Sequence, residues 1–146
     1  MRNHLFLTVL ACFTVSCASN ESSRLHGTWS TDLGPLGHEG HSHVTFNSAG
    51  SYEQDTEIVM AGTSCLLDVS TTGTFAENGN SITITHESGT QAVSRCSDAT
   101  HNHRARAMTA DEIGSYNAND ELTRSIVGNV LTLTDGNALT RSYTRQ

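Results

Sequence analysis

From residue 25 onward the chain is written in short runs whose apolar residues recur at every second position, the period of a strand with one buried face. The clearest runs are LHGTWSTDL (25–33), HVTFN (43–47), YEQDTEIVM (52–60), CLLDVSTTGTF (65–75) and SITITHE (81–87). A vaguer TQAVSRC (90–96) and HRARAMT (103–109) follow, then LTRSIV (122–127), VLTLT (130–134) and ALTRSYTR (138–145). Between them stand SAGS, AENGN, GN and DGN, which are turn sequences of the kind that join hairpin strands. The segment 110–121 is polar, with a helical turn predicted at ADEI (110–113). Two runs are near copies, GNSITIT (79–85) and GNVLTLT (128–134), and a looser echo links GTWSTD to GTFAEN. In both copies Ile or Leu alternates with Thr, giving one apolar face and one β-branched polar face. The pattern predicts an antiparallel all-β domain built from similar hairpins, as a meander or a barrel.

Composition narrows the partners. The chain has 15 acidic residues against eight basic ones, all of them arginine, and a net charge of −7. Such a surface repels phosphate backbones, so nucleic acid is not an expected partner. Electrostatic adhesion to anionic lipid is not expected either, on the same ground.

The leader, MRNHLFLTVLACFTVSC, carries Arg2 before an apolar run over 5–15. That run is shorter than the roughly 20 residues a spanning helix needs, and it reads as an export signal. Its end, Thr14-Val15-Ser16-Cys17, resembles the lipobox of bacterial lipoproteins, although Thr14 stands where Leu is usual. The resemblance implies a signal peptide over 1–17, lipidation (palmitate included) at Cys17, a polar tether over 18–24 and a folded domain over 25–146. Ala18 after the cysteine implies the outer membrane, facing the periplasm. With Cys12 lost in the signal and Cys17 acylated, Cys65 and Cys96 remain, and an oxidising compartment predicts a disulfide between them.

LHGTW, VTFNSAGSYE, TGTFAENGNSITIT and IVGNVLTLTDGNALTRSYTR, in that order, resemble the lipocalin-like domains of small bacterial lipoproteins. The resemblance implies an up-and-down β-barrel (a calycin) of about eight strands whose closed end is plugged by Gly27-Thr28-Trp29. It implies that a late arginine, Arg141 or Arg145, covers Trp29. It also implies a small apolar ligand in the cup, although aromatics make up only 5% of the chain and a filled barrel without a cavity is the competing expectation.

Two histidine pairs fall outside that pattern. His41 and His43 lie in GHEGHSHVTF (37–46), and His101 and His103 lie in HNH (101–103). With Val44 and Phe46 inward, His41 and His43 share the outer face. All four imidazoles, or three with Glu39, form a Zn²⁺ or Cu²⁺ site only if the two segments meet. The competing expectation for GHEGHSH is a polar, flexible loop leading into the second strand. No Gly-x-Ser-x-Gly turn or phosphate-cradling Gly loop is present, and Glu53, Asp55 and Glu57 alternate along one solvent-facing side. The sequence therefore predicts a non-enzymatic envelope lipoprotein without a cofactor, with a periplasmic metal-binding protein as the alternative.

Overall fold

The computed structural model describes residues 24–34, 39–117 and 121–146. The signal segment, Cys17, most of the tether and the start of GHEGHSH lie outside the described residues. The strands are β1 (Gly27–Asp32), β2 (Glu39–Phe46), β3 (Ser51–Val59), β4 (Leu66–Asn78) and β5 (Ser81–Ser94). After a 3₁₀ turn at Ala99–His101 come β6 (His103–Ala107), a helix α1 (Ala110–Asn117), β7 (Glu121–Val127), β8 (Val130–Thr134) and β9 (Thr140–Arg145).

The nine strands among the described residues join one antiparallel sheet in the order β4-β3-β2-β1-β9-β8-β7-β5-β6, and β4 also pairs with β5. Eight strands thus close in a ring, with β6 attached to the far part of β5. The two near copies behave alike. Ile82, Ile84, Leu131 and Leu133 are all buried, and both copies open with a two-residue Gly-Asn loop whose glycine has φ of 59°. The core joins them to Leu25, Trp29, Val44, Phe46, Tyr52 and Tyr143. Phe46 packs edge-on against Phe75 at 5.0 Å between ring centroids.

Two features depart from the sequence reading. TQAVSRC is the second half of β5, a single 14-residue strand running on from SITITHE. Thr72 pairs with Ser88 and Gly73 with His86, which leaves Glu87 as an extra residue. Such a bulge moves the alternation by one position, and this is why the pattern looks irregular there. The second departure is GHEGHSH, which is not a loop from Glu39 onward. Strand β2 runs the full length of its pairing with β3, from Glu39↔Val59 to Phe46↔Tyr52. Gly40 permits this, because it adopts φ of 146° and any Cβ there would strike the Glu57 carbonyl.

Cys65, just before β4, and Cys96, just after β5, form a disulfide that ties the two longest strands together. They are 31 residues apart. Replacing both by alanine is expected to lower stability by about 3–4 kcal/mol in the chain-entropy model, read as a shift of the urea midpoint at unchanged circular dichroism.

The helix α1 is held at its start by a reciprocal cap. The Thr109 N–H donates to a Glu112 carboxylate oxygen at 2.7 Å, and the Glu112 N–H donates to the Thr109 hydroxyl at 3.3 Å. The Arg106 guanidinium grips the same carboxylate with two bonds, 2.9 and 2.6 Å, and Gln91 of β5 adds a third at 3.0 Å. The Arg106 bonds, then the Thr109 amide, pull the Glu112 pKa down to about 2. A carboxyl depressed in the folded state stabilises above its unfolded range, and that contribution is lost as pH falls towards 2. Carboxylate NMR should therefore find the Glu112 midpoint near 2; a midpoint in the usual range near 4 would show the Arg106 clamp to be open in solution.

Candidate functional site

The ring has two unlike ends, and the difference follows from which side chains point inward. At one end Trp29 is fully buried. Its indole N–H donates to the Leu25 carbonyl at 2.8 Å. The Arg145 guanidinium lies 4.2 Å above the ring centroid and donates to the carbonyls of His26, at 2.9 Å, and Arg24. Gly27, at φ of 124°, leaves room for this, since a Cβ there would press on Arg145 Nη1. Of the two arginines the sequence offers, Arg145 covers Trp29.

Arg124 and Glu77 hold the neighbouring turn. Their side chains are 6% and 14% exposed and 2.8 Å apart, and Arg124 also donates to the Gly79 carbonyl at 3.2 Å. The pair ties β7 to the β4–β5 turn.

The interior towards the opposite end is not filled. Two cavities of about 280 Å³ each share Gln54, Tyr116, Arg141 and Tyr143 as common walls. Val44, Ile84, Leu122, Leu133 and Leu139 line one together with the polar Tyr52, His86, Ser115 and Asp135, and Leu33, Ile58, Leu67 and Val69 line the other with Ser42, Thr56 and Thr71. Together they fall in the range of small-molecule sites, roughly 300–1,000 Å³. The parity that puts Glu53, Asp55 and Glu57 outside puts Gln54, Thr56 and Ile58 inside. On β9 it aligns Arg141 and Tyr143 with Arg145.

Between the apolar walls lies a neutral polar network. Gln54 Nε2 donates to Ser42, at 3.0 Å, and to Thr56, at 3.2 Å, while its Oε1 accepts from the Tyr52 hydroxyl. The Ser42 and Thr56 hydroxyls are themselves 2.9 Å apart. Burial, then the neighbouring Tyr143, pushes the Tyr52 phenol well above its ordinary range, and burial raises Tyr143 too. Both phenols are therefore protonated at neutral pH.

The four histidines singled out in the sequence lie elsewhere, while His86 lines the first cavity. His41 and His43 stand side by side on β2 with ring centroids 5.3 Å apart, opposite Glu57 and Asp55 of β3. His41 Nδ1 is 4.0 Å from Glu57. His101 sits in the 3₁₀ turn, 3.7 Å from Asp98, and His103 begins β6. Among the described residues no group of three or more His, Cys, Asp or Glu side chains is placed to hold a metal ion. The meeting of the two pairs with each other or with Glu39, which a metal centre requires, does not occur there. The reason is topological: β2 lies inside the run of paired strands, whereas β6 is an appendage of β5.

No protein-family model matches this chain, and no curated protein matches it either.

Proposed function

We propose that this chain is a non-enzymatic lipoprotein of the bacterial cell envelope, anchored through acyl chains on Cys17, whose lipocalin-like barrel holds a small, mainly apolar molecule. The observation that carries the reading is the pair of cavities at the end of the ring away from Trp29. Their walls join aliphatic side chains to a few fixed hydrogen-bonding groups, the usual make-up of a small-molecule site. The near-neutral polar network supports binding, not chemistry, because its members are engaged with one another. The export signal and the Cys65–Cys96 disulfide agree with an oxidising compartment. Anchored at Cys17 with Ala18 next to it, the domain would stand on the periplasmic side of the outer membrane.

Two measurements test the proposal. An uncharged environment-sensitive dye should bind the domain over 25–146 saturably, with one site per chain; a folded domain that shows no saturable binding would remove the ligand reading. A palmitate analogue fed to cells should label the wild type and leave Cys17→Ser unlabelled. Equal labelling of both would remove the anchor.

A further inference from the structure

The chemistry of the shared wall goes further than an apolar cup. Arg141 lines both cavities. The four ion pairs found among the described residues lie elsewhere, so this guanidinium has no carboxylate partner there. Among the described residues the one carboxylate that lines either cavity is Asp135, and its Oδ1 accepts from the amides of Asn137, at 2.8 Å, and Leu139, at 3.0 Å, within the β8–β9 turn. Beside Arg141 on the same inward parity of β9 stands Tyr143, whose phenol burial keeps protonated while Arg141 pulls the other way. The guanidinium has only donors, and a protonated phenol carries an O–H that can donate as well. A permanent cation beside a protonated phenol, in a cup of a protein with net charge −7, is the opposite of what the surface offers.

Two neighbouring polar groups are already engaged with others. Gln54 spends both amide hydrogens on Ser42 and Thr56, and Tyr52 spends its hydroxyl on Gln54. Aliphatic walls extend from Arg141 in both directions, through Leu133 and Leu139 on one side and Ile58 and Leu67 on the other. A planar guanidinium matches a carboxylate with two parallel bonds, and a short alkyl or aryl tail matches the aliphatic walls.

Resting on the reading that the cup holds a small ligand, we infer that this ligand is a monocarboxylate amphiphile, its carboxylate on Arg141 and the Tyr143 hydroxyl and its tail along the aliphatic wall. The cation therefore sets specificity, while the apolar surface supplies sequence-independent affinity for any tail.

Three probes with one tail separate these contributions: octanoate, 1-octanol and octylammonium, each titrated calorimetrically into the domain. Octanoate is expected to bind at least about tenfold more tightly than octanol, the size of a charge-assisted hydrogen bond, and octylammonium more weakly than either. Arg141→Gln should bring octanoate down to the octanol level and leave octanol unchanged. Tyr143→Phe, a milder change, should weaken octanoate alone and by less. If octanol and octanoate bind the wild type equally, the carboxylate assignment fails while the cup remains a site. If Arg141→Gln keeps the preference for octanoate, the cation lies elsewhere and the assignment fails too. If none of the three binds the folded domain, the cup itself is not a site and both readings fall.

Discussion

Trp29→Ala is expected to destabilise the domain by about 3–5 kcal/mol, the usual cost of removing a large aromatic from a packed core. Three losses fall together. The indole is fully buried, its N–H satisfies the Leu25 carbonyl, and it forms the floor on which Arg145 rests. Small domains are often stable by only about 5–15 kcal/mol, so the variant would lie close to unfolding at ambient temperature. Urea unfolding followed by far-ultraviolet circular dichroism gives the number, since Trp29 is the single tryptophan and its fluorescence disappears with it. A double-mutant cycle with Arg145→Met isolates the stacked cation, whose share is about 0.5–2 kcal/mol. A cost under about 1 kcal/mol for Trp29→Ala would mean that water already reaches the closed end, since exposed sites rarely exceed half that.

Glu77→Ala should be comparably severe, at about 3–5 kcal/mol, for a different reason. It strands the Arg124 guanidinium, 6% exposed, with one backbone carbonyl for compensation and a buried Nε that finds no acceptor among the described residues. Removing both charges is another matter. Glu77→Leu with Arg124→Met replaces a desolvated pair by apolar packing, and the double variant should be near neutral or more stable than either single one. Urea midpoints of the three variants test this. If the double variant is as damaged as Glu77→Ala alone, the ion pair holds the β4–β5 turn in place through geometry that packing does not replace.

Most of the strand pattern was legible from alternation alone. The twin Gly-Asn hairpins are the cleanest case: residue identity, turn type and burial agree at Ile82, Ile84, Leu131 and Leu133. The reading failed where one residue breaks the period. Glu87 bulges out of β5, so its second half looked like irregular chain. It failed again at GHEGHSH, where local polarity and two glycines argued for a loop, but a long partner strand recruits the segment. The capping box of Thr109 and Glu112 is also written in the sequence, yet the helix it starts is too polar to show a buried stripe. Inside the ring, parity alone assigns Gln54 and Thr56 to the face opposite the acids. What no one-dimensional pattern gives is the choice between Arg141 and Arg145, both on the inward face of β9. Only closure of the ring decides which arginine meets the tryptophan and which is left in the cup.

The divided edge of β5 has a mechanical consequence. Its first residues, Ser81–Thr83, pair with β7, and its last, from Thr90 onward, pair with β6. From Ile84 to Gly89 no strand among the described residues pairs along that edge, and α1 packs against β5. A cylinder slit along part of its wall is stiff everywhere except at the slit. Thermal breathing should concentrate there, with β7 and β5 parting as α1 swings on its Glu112 tether, and amide hydrogens on either side of the gap should exchange with solvent first. A guest too wide for the mouth of the cup would then have a side entrance, gated by one short helix and a single clamped carboxylate.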